Sequence, residues 1–179
     1  MKKLTKIVAA TGITFSTLLA SGVGISQEAQ AQEEEAVTPW YEYNGYVENN
    51  ASFVVDPDFV RAAKYNNITF NGYKVNLQDA ESDGNIVSKQ VYDQDFAFVD
   101  EDNRPDKTTF RVAPGQLTKE DIINAYGEDY EFHPDNPGPG GEISKDNGDY
   151  AYNFNGNQIK FAVLDGEVTI VGLGHVGWA

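Results

Sequence analysis

The stretch Gly172-Leu173-Gly174-His175-Val176-Gly177 has the spacing of a dinucleotide-binding turn, where glycines bring the backbone close to a pyrophosphate at a helix N-terminus. That chemistry needs a helix after the motif, inside a strand–helix–strand unit. Gly177 stands two residues before Ala179, so no such helix is expected and the stretch reads as a glycine-softened final strand. Asp79-Ala80-Glu81-Ser82-Asp83-Gly84 opens like a calcium loop, with oxygen donors at positions one, three and five and glycine at six. Its twelfth position is Gln90, where a bidentate Glu is wanted, and the preceding segment is strand-like, so a solvated acidic loop is expected. The histidines, His133 and His175, fall in different elements without the short spacing of a metal pair. Nothing around Ser52, Ser82, Ser88 or Ser144 resembles a nucleophile elbow, although a Ser-His-Asp triad leaves no spacing signature. Carboxylates are too frequent for any pair to signal glycosidase chemistry. No catalytic residue, metal site or cofactor is expected.

The aromatic residues are more informative. Tyr and Phe number ten each. Most are expected to fill and rim a β-rich core. Exposed aromatics beside Lys or Arg make stacking platforms for unpaired bases. Arg61, Lys64 and Lys74 bracket one short helix and its hairpin and are expected to share a face. With Tyr43, Tyr46 and Tyr65 they form the candidate polyanion site.

The elements that must position these residues are readable from pattern. Trp40 to Tyr46 is aromatic-rich and strand-like, and Ser52 to Val55 is a short strand candidate. Asp56-Pro57 opens a helix, with Asp as cap and Pro in the first turn, and Phe59, Ala62 and Ala63 form its apolar stripe. Ile68-Thr69-Phe70 and Tyr73-Lys74-Val75 flank Asn71-Gly72, the composition of a two-residue hairpin. A strand is expected within Ile86–Phe98 and another over Thr108–Val112. Thr118 caps the second helix, with an acid three positions on, and Gly127 ends it. Residues 133–148 read as a long loop, and three strands follow, over Tyr150–Phe154, Gln158–Leu164 and Val168–Leu173, joined at Asn155-Gly156-Asn157 and Asp165-Gly166. The expected fold is a single small α+β domain over residues 38–179, an antiparallel sheet with two short helices and a C-terminal helix-then-three-strand meander.

Lys2, Lys3 and Lys6, an apolar run from Ile7 to Ile25 and Ala29-Gln30-Ala31 have the layout of a secretory signal, with cleavage expected after Ala31. The run is too tempered by Thr, Ser and Gly for a membrane span. Residues 32–37, with Glu33, Glu34 and Glu35 adjacent, are expected to be a disordered acidic N-terminus. The 179 residues contain 13 Lys+Arg, 28 Asp+Glu and no cysteine, for a net charge of -15. Loss of residues 1–31 removes Lys2, Lys3, Lys6 and Glu28, leaving 10 cations against 27 acids. Such a balance excludes bulk attraction to phosphate or anionic lipid, and the absence of cysteine excludes disulfide frameworks, thiolate metal sites and cysteine nucleophiles.

From Thr38 onward the sequence resembles the immunodominant staphylococcal antigen B family. The resemblance is carried by Thr38-Pro39-Trp40-Tyr41-Glu42-Tyr43-Asn44-Gly45-Tyr46, Asn49-Asn50-Ala51-Ser52-Phe53, Phe59, Lys64-Tyr65 and Phe70-Asn71-Gly72. Farther on it includes Tyr92-Asp93-Gln94 with Phe96, Ala125-Tyr126-Gly127 and Gly174-His175. It implies a small secreted or surface-associated protein without catalysis, an antigen at the host interface that binds extracellular DNA or RNA with little sequence preference. With so few cations, that binding is expected to be weak and confined to low salt. The alternative is an acidic secreted structural or host-interaction protein, with protein or cell-wall partners and no nucleic-acid affinity. A monomer is expected.

Overall fold

The structure, a computed structural model, describes residues 38–78, 86–99, 104–136, 139 and 141–175. The signal segment, the acidic N-terminus and Asp79 to Asn85 of the acidic loop lie outside the described residues.

Two sheets enclose one core. The smaller holds β1 (Tyr41–Tyr43), β2 (Ile68–Phe70) and β3 (Tyr73–Lys74), with β1 parallel and β3 antiparallel to β2. The larger is antiparallel throughout, in the order β4-β5-β6-β10-β9-β8-β7. Its strands are β4 (Ile86–Val91), β5 (Gln94–Val99), β6 (Lys107–Arg111), β7 (Glu131–Pro134), β8 (Gly148–Phe154), β9 (Asn157–Leu164) and β10 (Glu167–Gly174). Helices α1 (Pro57–Lys64) and α2 (Lys119–Tyr126) complete the fold, which is α+β as its sequence implies.

Local chemistry explains most boundaries. Asp56 caps α1 by accepting the Asp58 amide at 2.9 Å, and Pro57 supplies a first-turn φ without a wasted donor. Phe59, Val60, Ala62 and Ala63 bury the inner stripe of α1. Full burial of Phe59 contributes about 1.5–3 kcal/mol. At α2 the capping box is reciprocal: the Asp121 amide donates to the Thr118 hydroxyl, and the Thr118 amide donates to the Asp121 carboxylate. Asn71-Gly72, Asn155-Gly156 and Asp165-Gly166 all place both residues at positive φ, the geometry that two-residue hairpins require.

Three sequence expectations are corrected. Ser52–Val55 is not a strand: Ala51–Val55 is a 3-10 helix that buries Ala51, Phe53 and Val54 together, whereas a strand would alternate them. Ile86–Phe98 is not one strand but the β4–β5 hairpin, turning at Tyr92-Asp93 with Tyr92 at φ 56°. Residues 133–148 are not all loop, because Glu131–Pro134 forms β7 against β8, making the C-terminal unit four strands.

The inner face of the large sheet meets the small sheet, the helices and the 3-10 helix through aromatic packing. Phe53 lies 4.2 Å from Tyr43, 5.4 Å from Phe59 and 6.1 Å from Phe110 between ring centroids. Phe70 reaches Phe110 at 5.9 Å, and Tyr126, Tyr152 and Phe161 form a second cluster. Gly174, at φ 86°, has the Asp106 and Asn76 carbonyls where a Cβ would stand, so this glycine serves a backbone crossing within the core. The edge strand β4 exposes Ile86 through Gln90. Its Lys89 lies over the Tyr73 ring, 4.9 Å from the centroid.

Candidate polyanion-binding site

Arg61 and Lys64 lie three residues apart on α1, both exposed, and Tyr65 follows at the helix C-cap with 61% of its surface exposed. The Arg61 guanidinium is paired with Asp58 one turn back, which neutralises part of its charge toward a ligand. The Lys64 ammonium sits 4.9 Å over the Phe154 ring while its backbone carbonyl accepts from Asn157 Nδ2 at 2.8 Å. That cation–π contact and hydrogen bond dock the end of α1 on the β8–β9 turn.

Lys74 is on the other arm. Its register pairs it with Thr69, on the face opposite buried Phe70 and Ile68, so it does not share the α1 face that carries Arg61. The shared face expected for Arg61, Lys64 and Lys74 is therefore absent, because a strand alternates its side chains and Lys74 falls on the outward side. What joins the arms is Arg104, a residue without any sequence signal for this role. Its guanidinium donates to Asn66 Oδ1 at 3.1 Å and to the Val75 carbonyl at 3.4 Å. It thus stands next to both Lys64-Tyr65-Asn66 and Lys74-Val75. Arg104 is thereby bonded to the residue that follows Lys64-Tyr65 and to the residue that follows Lys74, while the Lys64 ammonium itself is turned to Phe154.

Tyr43 leaves the candidate set. It is 3% exposed, stacked on Phe53, and its hydroxyl donates to the Tyr46 carbonyl at 2.7 Å while accepting from Asn50 Nδ2. A ring packed in the core has no face left for a ligand. Burial raises its ionisation range, as it does more strongly for Tyr41, pushed up to about 12, and for Tyr126, raised well above the ordinary phenol.

Tyr46 is exposed but belongs elsewhere. It meets Tyr92 at the tip of the β4–β5 hairpin, with centroids 4.9 Å apart and ring planes at 75°. Two segments that carry the family resemblance, around Tyr46 and around Tyr92, thus meet in space. A polar network fixes the meeting. The Asp93 carboxylate accepts the Val47 and Glu48 amides at 2.9 and 2.7 Å. Fully buried Gln94 donates to the Gly45 carbonyl at 2.9 Å and accepts from Asn71, whose Oδ1 in turn accepts the Gly45 amide at 2.7 Å.

An open groove of about 480 Å³ runs between α1 and α2, with Val55, Val60 and Ala125 as apolar lining and Arg61 and Asp121 among its polar residues. Among the described residues no group of three His, Asp or Glu side chains is arranged to hold a metal ion. Also among them, no helix is long and apolar enough to cross a membrane.

Fold and surface together define a small α+β protein whose exposed chemistry is aromatic and charged. The model of the immunodominant staphylococcal antigen B family matches residues 40–173, and the chain belongs to that family. Immunodominant staphylococcal antigen B of Staphylococcus aureus strains USA300, NCTC 8325 and COL is 35% identical over 133 residues, covering 72% of this chain and 71% of each relative. These relatives are named as antigens, not as enzymes. No solved structure matches the chain.

Proposed function

We propose that this chain is a secreted, surface-associated, non-enzymatic antigen that binds extracellular nucleic acid or a similar polyanion weakly and without sequence preference. The observation that carries the reading is Arg104, hydrogen-bonded beside both Lys64-Tyr65 and Lys74. It ties the chain just after Lys64-Tyr65 to the chain just after Lys74, bringing a third cation between them in a chain that is otherwise strongly acidic. Segregation matters because attraction and repulsion both lengthen their reach as salt falls, so a dispersed set of cations would be overwhelmed by the carboxylates. Three phosphate contacts give a salt-log slope of about 2 for a single strand, and stacking on Tyr65 adds about 1–3 kcal/mol per engaged base.

Titration of the mature chain with a labelled oligothymidylate across a salt series tests this. Binding should be measurable only at low salt, be abolished by Lys64→Glu or Arg104→Glu, and be nearly unchanged by Lys145→Glu in the loop before β8. Tight, salt-insensitive binding, or equal loss in all three variants, refutes the patch. The secreted form should begin at Gln32, which N-terminal mass analysis of culture supernatant checks; recovery of a chain starting at Met1 refutes the signal reading.

A further inference from the structure

We infer that the Tyr46–Tyr92 pair is a second binding site, a platform for an uncharged carbohydrate chain. The pair is exposed by 67% and 48%, yet the two rings touch each other at the corner angle of 75°. The contact with Tyr46 is the one aromatic contact of Tyr92 among the described residues, and it leaves half of the ring exposed. Tyr92 occupies the first position of a two-residue hairpin turn at φ 56°, where the other three such turns carry Asn or Asp followed by Gly. A bulky side chain in the left-handed region costs about 1–2 kcal/mol, a penalty glycine or asparagine would avoid. The next residue, Asp93, holds the loop of Tyr46 through the Val47 and Glu48 amides, so both rings are set by one rigid network. Strain retained to present a ring to solvent, opposite a second ring fixed by buried polar bonds, is the arrangement of a preorganised recognition site.

The geometry selects the ligand class. Parallel rings would sandwich a flat base. Perpendicular rings instead make a corner, one face and one edge, which suits a pyranose with an apolar C–H face and a hydroxyl rim. The charges agree. Exposed Glu48 adjoins the platform in the loop and exposed Asp95 follows the turn, both acceptors for hydroxyl groups and both repulsive to phosphate. On the neighbouring strand, the register pairing Gln94 with Phe110 leaves Arg111 beside the turn. This surroundings contrasts with the Lys64–Arg104 cluster and disfavours a nucleic acid here.

The test titrates the mature chain with a soluble β-linked N-acetylglucosamine oligomer, by calorimetry or by tyrosine fluorescence. Tyr92→Gly is the decisive variant, because glycine fits the turn's φ while deleting the ring. The expected results are saturable wild-type binding, affinity lower by about tenfold in Tyr92→Gly and Tyr46→Ala, the size of one lost stack, and affinity retained in Tyr46→Phe. The melting temperature of Tyr92→Gly should be equal to or above that of the wild type. No binding by the wild type, or undiminished binding by Tyr92→Gly and Tyr46→Ala, overturns the proposal. So does a lowered melting temperature in Tyr92→Gly, which would make the ring structural. Loss of oligothymidylate binding in that variant would assign the platform to nucleic acid instead and equally overturn it.

Discussion

Tyr65 and Tyr92 are both exposed tyrosines at the ends of secondary-structure elements, yet their surroundings have opposite sign. Tyr65 follows an α-helix whose last turn carries Arg61 and Lys64, and Arg104 is bonded to the next residue. Tyr92 sits in a strained turn among Glu48, Asp93 and Asp95. An aromatic ring alone does not choose between a base and a sugar, since either can stack on it. The neighbouring charge makes the choice, and it does so locally even where the whole chain is acidic.

Four substitutions separate the two surroundings. The largest effect is expected from Phe53→Ala. Phe53 contacts Tyr43, Phe59, Phe70 and Phe110, so its truncation should cost about 3–5 kcal/mol and disable both sites together, read as a lower urea midpoint. Next, Asp93→Ala removes the acceptor of two backbone amides and should cost about 2 kcal/mol. It should loosen the Tyr46–Tyr92 platform while leaving salt-dependent oligothymidylate binding intact; parallel loss of both activities would show that the sites are one. Third, Arg104→Gln should lower the salt-log slope by about 0.7 without altering the melting temperature by more than a degree or two, because an exposed neutral-to-charged contact contributes little to folding.

Tyr126→Phe, which touches neither surface, separates the buried tyrosines from the exposed ones. Its hydroxyl donates to the Val54 carbonyl at 2.6 Å, so the loss should be about 1 kcal/mol. Burial raises the ionisation of Tyr126 and Tyr41 in the folded protein above the unfolded value near 10. Their contribution is therefore complete below pH 10 and is lost as pH rises above it, through about 12 for Tyr41 and higher still in direction for Tyr126, because the unfolded chain releases its phenolic protons first. Tyr126→Phe should make the alkaline loss of stability shallower, as followed by chemical denaturation at successive pH values.

Where local chemistry determines structure, the sequence is transparent. Asp56-Pro57, the Thr118–Asp121 box and the three Asx-Gly turns each satisfy backbone groups or φ values by their own side chains, and each falls where expected. The Tyr92-Asp93 turn was hidden for the same reason in reverse. Its conformation is imposed by Asp93 reaching across to Val47 and Glu48, 46 and 45 residues away, so nothing nearby announces it. Ser52–Val55 misleads because aromatic and β-branched composition is shared by strands and by a buried 3-10 turn. β7 has only four residues and ends in Pro134, which leaves it without a periodic signature. Of the candidate site, the helix-borne Lys64 and Tyr65 could be placed from pattern, whereas Arg104 enters only through tertiary packing and Tyr43 leaves through it.

The bare edge of β4 has a consequence for how this molecule behaves as a colloid. Ile86 and Val87 are exposed on β4, whose outer edge pairs with no other strand among the described residues, the geometry onto which another extended chain adds. At neutral pH a charge of -15, or -17 once residues 1–31 are lost, keeps copies apart at long range, and the exposed Lys89 on the same strand is a charge that an added strand must accommodate. The two defences have different reach and different titration. Toward the isoelectric point near 4.3 the long-range repulsion vanishes. Storage near that pH is then the condition under which edge-to-edge association of copies is expected, as light scattering across a pH series would show.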